Sequence, residues 1–200
     1  MKNVVVLGGG GYVGQHLCER WLRAEPEVHI YSVSRRGKPA TLSDALNGNE
    51  RMHWLTGDAL EPDSFSDKLP ANIAVIIDLV GTVFARTAKE FARMNVGPVK
   101  TMIALMDRLS IEHGGYVSGV MGLPLTHKAF VRSKQDAETL ARNSGKSIAI
   151  FRPSLIYGDK PQVAPMVPFV KLLGMLPGMQ RFKPVAVRDL ADEIIRSYKL

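Results

Sequence analysis

Val4-Val5-Val6-Leu7-Gly8-Gly9-Gly10-Gly11-Tyr12-Val13-Gly14 opens the chain as an apolar run that breaks into glycines and resumes as an amphipathic segment. The pattern is strand, turn, helix. A parallel strand buried on both faces needs apolar side chains on both, which Val4 to Leu7 supply. The glycines permit a tight turn, let the backbone come close to a pyrophosphate and let the next helix pack against the strand. The start of that helix offers unpaired N–H groups to anionic oxygens. Gly9, Gly11 and Gly14 fit the general dinucleotide spacing, while Gly8, Gly11 and Gly14 fit the more informative GxxGxxG spacing. Tyr12-Val13 is placed to pack under the helix. The competing reading is a glycine turn that holds nothing; the position after a strand and before a helix argues against it.

Working outward, Tyr12 to Ala24 has helical spacing (Val13, Leu17, Trp21) and is closed by Pro26. Val28 to Val33 reads as a second strand ending in Ser34-Arg35-Arg36-Gly37-Lys38. About 20 residues past the last glycine, an acid would bind the 2′-hydroxyl of NAD, whereas arginine accommodates the 2′-phosphate of NADP. Serine and two arginines stand here, so NADP is favoured over NAD. A solvated basic loop would have the same composition.

Leu42 to Leu46 is read as a short helix and Met52 to Leu55 as a third strand leading to Gly57-Asp58-Ala59, where Asp58 either faces an adenine edge or caps the turn before Pro62. Phe65 to Leu69 is a short helical crossover. Ile73 to Gly81 is a fourth, almost unbroken apolar strand ending in Leu79-Val80-Gly81 near a ligand. Thr87 to Leu109 is a long helix bent at Gly97-Pro98, its methionines in the core. A fifth strand exits through Tyr116-Val117-Ser118-Gly119, Phe130 to Asn143 is the next helix, and Ile148 to Pro153 is a sixth strand. Val185 to Leu200 adds a short strand and a final helix. Strands alternating with helices imply an α/β, Rossmann-type doubly wound parallel sheet in the order 3-2-1-4-5-6.

The 200 residues, 46% of them apolar, make one domain of ordinary globular composition. A net charge of +7 suits anionic company. The basic residues are scattered, which argues against nucleic acid. Cys18 is the sole cysteine, so a disulfide framework is excluded, and its place among Leu17, Trp21 and Leu22 makes it a core residue. No stretch is long and apolar enough to span a membrane. The chain opens directly on its first strand, so any targeting segment is expected to be absent or already removed. No metal-ligand pattern is expected.

These motifs together resemble the extended branch of the short-chain dehydrogenase/reductase superfamily. The resemblance rests on Gly8, Gly11 and Gly14, Gly57-Asp58, Leu79-Val80-Gly81, Asn95, Phe130-Val131-Arg132-Ser133-Lys134, and Arg152-Pro153-Ser154-Leu155-Ile156-Tyr157-Gly158. It implies that Ser118, Lys134 and Pro153 join the glycine turn, Ser34 to Arg36, Asp58-Ala59 and Leu79 to Gly81 in holding the cofactor. In that family a tyrosine four residues before the lysine is the acid or base, and a serine after the fifth strand orients the substrate. Tyrosine and lysine at that spacing share a helix face. Here Phe130 stands at the tyrosine position and Gly119 at the serine position; only Lys134 is kept. No confident catalytic residue remains, because positioned proton transfer supplies roughly a hundred- to ten-thousand-fold in rate. Ser118, Ser133 and Tyr157 are poor substitutes.

Within that branch the chain resembles the atypical group containing the nucleotide-binding accessory subunit of mitochondrial complex I and a fungal protein associated with coenzyme Q biosynthesis. The likeness lies in Leu7 to Gly14, Ser32 to Lys38, Arg152 to Gly158 and Lys183 to Ala191. It implies a held NADP(H), an accessory place in a respiratory or quinone-synthesising assembly, and a mitochondrial location on the matrix side of the inner membrane, with the cytoplasm as alternative. An active reductase or epimerase with an unconventional acid, and a cofactor-free interaction module, are the competing functions. Residues 154–200 are expected to form a minimal substrate lobe and the final helix. The apolar stretch 163–182 is expected either to act as a lid or to meet a partner, a membrane surface or an isoprenoid tail.

Overall fold

The computed structural model describes residues 2–120, 127–159 and 180–198. Six parallel strands form one sheet: β1 (Lys2–Leu7), β2 (Val28–Ser34), β3 (Met52–Thr56), β4 (Ile73–Asp78), β5 (His113–Val117) and β6 (Ser147–Phe151), in the order β3-β2-β1-β4-β5-β6. This is the doubly wound order the alternation of elements implies.

The alternation of β1 divides the core. Val4 and Val6 point into one cluster with Leu17, Cys18 and Trp21 of α1 (Tyr12–Ala24) and Leu190 and Ile194 of α4 (Val187–Ser197). Val5 and Leu7 point into the other, with Val99, Met102 and Met106 of α2 (Ala88–Arg108) and Ala137 and Ala141 of α3 (Lys128–Asn143). Period-2 strands with both faces apolar therefore sit between two helical layers. Arg20 on α1 bonds both carboxylate oxygens of Asp192 on α4, at 2.5 and 2.6 Å. Helix α4 therefore packs beside α1, in the helical layer on one face of the main sheet. A second, two-stranded parallel sheet pairs β7 (Ile156–Tyr157) with β8 (Val185–Ala186).

Several local expectations change. Leu42 to Leu46 is turn rather than helix: the amides of Leu46 and Asn47 both reach the Ser43 carbonyl, and Gly48 follows at φ +73°. So short a segment cannot repay helix nucleation. The crossover at Phe65 to Leu69 is two 3₁₀ turns, Pro62–Ser64 and Ser66–Lys68. β4 stops at Asp78, three residues before Gly81, because the Asp78 carboxylate takes the Val80 amide at 2.8 Å and turns the chain off the ladder. Helix α2 spans Ala88–Arg108 with Pro98 inside it, where the long helix is expected, and Thr87 caps it by accepting from Glu90 N at 3.1 Å. Met102 and Met106 are buried. Of the apolar stretch 163–182, only Gln180–Phe182 lies among the described residues, as a 3₁₀ turn; the rest lies outside them.

Candidate functional site

A cleft of about 710 Å³ opens at the carboxyl edge of the sheet, where the strand order reverses between β1 and β4. That is where open α/β sheets hold ligands. Its floor is the turn after β1. Gly8 adopts φ +84°, a left-handed conformation that glycine takes without strain. Gly11 caps α1, and no acidic side chain occupies the first helical turn, so the helix presents its positive end to the cleft. Gly14 serves packing: a Cβ there would lie 2.5 Å from the Gly8 carbonyl oxygen and 2.5 Å from Gly9 Cα. The turn holds itself closed through Gly11 N to Gly8 O at 2.9 Å.

The far wall is basic. Ser34, Arg35, Arg36 and Lys38 line the cleft, and Ser34 Oγ donates to the Gly37 carbonyl at 2.9 Å, fixing the turn that carries the arginines. Both arginines are exposed and form no ion pair with any described residue. The opposite wall is Asp58-Ala59 and Leu79-Val80-Gly81. Asp58 caps its turn, accepting from Leu60 N at 2.9 Å, and also lines the cleft.

Ten of the expected cofactor residues therefore meet in one cavity: Gly8, Gly11, Ser34, Arg35, Arg36, Asp58, Ala59, Leu79, Val80 and Gly81. Tyr12, Val13, Gly14, Ser118, Lys134 and Pro153 are not among its lining residues. Tyr12 packs against His16, ring centroids 5.0 Å apart, and against Gly158, where any Cβ would strike its hydroxyl. Val13 joins the α1-side core. Pro153 is buried and its carbonyl accepts from Val120 N at 2.9 Å. Gln15, Pro39 and Met94 line the cleft and escape a sequence reading. The helical spacing of Gln15 behind the glycines was the one available signal.

Lys134 lies just beyond this cavity. It is 5% exposed, its Nζ donates to the Val117 carbonyl at 3.3 Å and stands 5.0 Å from the centre of the Tyr116 ring. A Cβ on Gly81 would approach Nζ to 3.1 Å, so the glycine is what brings the cleft wall against the lysine. Phe130 and Gly119 are neighbours: a Cβ on Gly119 would lie 3.9 Å from Phe130 Cζ. The ring also packs edge-on to Phe91 at 6.1 Å. The three positions where the resemblance puts tyrosine, serine and lysine thus converge, and only the lysine carries a polar side chain.

Two supporting groups were missed or undervalued by the sequence. Asn95 on α2 accepts from Thr82 N at 2.8 Å and donates to Ser133 Oγ at 2.9 Å, tying the loop after β4 to α3. Asp78 is fully buried; its Oδ1 serves Val80 N and its Oδ2 has no hydrogen-bond partner. Burial pushes the Asp78 carboxyl up to about 7, against the pull of Val80 N–H and Lys134. Burial likewise lowers Lys134 to about 8, against Asp78 and Glu138. Ser118 is buried where it faces both the Tyr116 phenol and the Glu138 carboxylate, without hydrogen-bond geometry to either. Cys18, its thiol pushed up to about 12 by burial, is inert core.

No cluster of three or more potential metal ligands occurs among the described residues, and no helix among them is long and apolar enough to cross a membrane.

The chain belongs to the NAD dependent epimerase/dehydratase family, whose model matches residues 4–171. That family is the extended short-chain dehydrogenase/reductase branch. UDP-glucuronic acid 4-epimerase from Bacillus cereus, a tyrosine-to-phenylalanine variant solved with NAD and a fluorinated UDP-sugar, superposes with TM-score 0.71 at 20% identity, over 98% of this chain and 72% of that one. The Bordetella bronchiseptica enzyme WbmH in complex with NAD⁺ gives 0.70 at 17% identity, over 99% and 72%. Among curated proteins, the decarboxylating sterol-4-alpha-carboxylate 3-dehydrogenase of Candida albicans is 23% identical over 120 residues, 59% of this chain and 34% of that one. MIOREX complex component 2 of Saccharomyces cerevisiae is 33% identical over 72 residues, 34% of this chain and 25% of that one. The aligned part thus spans about a third of the first relative and a quarter of the second.

Proposed function

We propose that this protein is an NADP(H)-binding member of its family that holds the dinucleotide without efficient turnover, as an accessory component of a larger assembly. The observation that carries this is the contrast at one cleft: a complete glycine cradle with a basic wall, beside a catalytic position occupied by Phe130 and Gly119. The residues present fit the cofactor. The α1 amides and the glycine turn would take the pyrophosphate, and Arg35 and Arg36 would take a 2′-phosphate that no nearby acid repels. Lys134 would reach the nicotinamide ribose past Gly81. The cofactor, when bound, would supply hydride chemistry; the position one helical turn before Lys134, held by Phe130, offers no phenol to exchange a proton with a substrate.

The accessory role draws on the likeness to a protein named as a complex component, and on the resemblance to the atypical group. That resemblance and the net charge of +7 support a mitochondrial, matrix-side location. The chain would form one dinucleotide-binding domain, with 154–200 supplying a small lobe and helix α4. Stretch 163–182 is the proposed partner, membrane-surface or isoprenoid contact.

A second reading, an active dehydrogenase or reductase with an unconventional acid, is favoured by the likeness to sterol-4-alpha-carboxylate 3-dehydrogenases. Gentle purification followed by absorbance and mass spectrometry should show bound NADP(H), and native electrophoresis should place the protein in a large assembly. A protein that migrates alone and oxidises NADPH rapidly with a carbonyl or quinone substrate would replace the first reading by the second.

A further inference from the structure

Beneath the cleft, on the α2–α3 face of the sheet, a column of polar groups is buried where an α/β core is ordinarily apolar. Asp78 ends β4, directly opposite Tyr116 on β5 in the strand register and beside Leu7 of β1. Lys134 descends from α3 onto the same spot, and the next turn of α3 brings Glu138. Three buried oxygens in this column, Asp78 Oδ2, Tyr116 OH and Ser118 Oγ, have no hydrogen-bond partner among the described residues. A fully buried carboxylate with an idle oxygen is costly unless a charge compensates it. The Lys134 ammonium has three protons and one protein acceptor, Val117 O at 3.3 Å, so it has donors to spare. The two groups are not in ion-pair contact, but each alters the other's ionisation.

We propose that Asp78 is a positioning residue of the site: the buried carboxylate that keeps Lys134 charged at the edge of the cleft, as the acidic partner of that lysine in a site without a tyrosine. The proposal rests on reading the cleft as a dinucleotide site only for its consequence, not for the coupling itself. The titratable groups facing the pair from the described elements are Tyr116 on β5 and Glu138 on α3. Glu138 is already neutralised by Arg152 at 2.6 and 2.8 Å and by Arg142 at 2.8 Å. Leu7 of β1 and Asn95 of α2 carry no charge. Among the described residues facing Lys134, Asp78 is therefore the carboxylate that no cationic side chain bonds. Burial disfavours the ammonium, the carboxylate favours it, and the balance leaves Lys134 exchanging its proton near pH 8. With the ammonium holding ribose oxygens, cofactor affinity falls as pH rises through that value.

Asp78→Asn tests this, since an amide oxygen still accepts from Val80 N–H while the charge is gone. With ¹³C-labelled lysine, Lys134 should titrate near pH 8 in the cofactor-free protein and move down by about one unit or more in the variant. An unchanged midpoint overturns the proposal, because a carboxylate that only caps its turn would not move it. If the Asn variant does not fold, Lys134→Met serves: the Asp78 ¹³Cγ midpoint should rise above about 7, and no change again overturns the proposal. Calorimetric NADPH affinity between pH 6.5 and 9 then reads the consequence. A shifted lysine midpoint in a protein that binds no dinucleotide at any pH supports the Asp78–Lys134 coupling and overturns the functional reading instead.

Discussion

The two ends of the cleft have been treated differently by this sequence. At the β1–α1 turn, Gly14 sits where any side chain would collide with backbone; at the β5 exit, Gly119 sits where the described residues leave room for one. A Cβ on Gly14 meets main-chain atoms at 2.5 Å, whereas one on Gly119 meets nothing among the described residues closer than 3.9 Å. The first glycine is required by geometry. The second is not: the described residues around Gly119 leave space that a side chain could take.

The sharpest way to break that comparison is to put a side chain at each position. Gly14→Val should destabilise the fold by ~3 kcal/mol or more, since the backbone cannot step aside. It should also abolish dinucleotide binding, measured by thermal denaturation and calorimetry. Gly119→Ala should stay within ~0.5 kcal/mol of the parent. Similar losses at both glycines would mean the two ends are equally constrained.

Next in size is the basic wall. Replacing Arg35 and Arg36 together by alanine should weaken NADP(H) by about 100-fold, from two charge-assisted contacts reduced by their exposure. NAD(H) should change by less than about threefold on the same reasoning, because it lacks the phosphate those side chains would meet. Equal weakening of both, by calorimetry, would remove the argument for NADP.

A smaller effect belongs to the support under the catalytic end. Burial alone would raise Glu138, but hydrogen bonds from Arg152, the nearby Ser118 hydroxyl and the charge of Arg142 hold it below the usual carboxylate range. A carboxylate with a depressed folded-state pKa contributes stability that is present above its unfolded value, about 4.3, and lost as pH falls through the folded one. Glu138→Gln should therefore cost ~1–2 kcal/mol at pH 7, a buried-pair value discounted because Arg142 and Arg152 are 54% and 41% exposed. The difference from the parent should shrink in denaturation curves taken toward pH 3. A constant difference across that range would assign the cost to packing instead.

The same contrast explains what could be read from the chain. Val4 to Gly14 is legible because strand, turn and helix each leave a local signature, and strand order follows from the alternation. The cleft walls at Ser34 to Arg36 and Leu79 to Gly81 are legible because they are strand ends. Asp78 is not: in sequence it is one acid inside an apolar run, and only the register opposite Tyr116 and the descent of Lys134 from α3 show what it faces. Asn95 has the same difficulty, its two partners lying 13 and 38 residues away. Leu42 to Leu46 misleads because an apolar pair at helical spacing in five residues also suits a turn that buries only Leu46.

The smallest expected effect tests whether the catalytic end lacks only a hydroxyl. Phe130→Tyr puts a phenol one helical turn before Lys134, on the side where Gly119 leaves space, and the ammonium should draw its pKa toward a working value. Gly119→Ser adds the orienting hydroxyl with ordinary contacts to Phe130 and the Pro153 carbonyl. Restored groups give acid–base catalysis only if a substrate is held in line with them, and positioning accounts for a large share of any enzyme's rate. The double variant should therefore bind NADPH as the parent does and reduce small carbonyl compounds just above background, followed as NADPH oxidation. Vigorous turnover would show that the cleft still positions a substrate and that the missing hydroxyls were the whole deficit. Vigorous turnover by the unmodified protein would show that another group, Lys134 with its Asp78 partner foremost, already moves the proton.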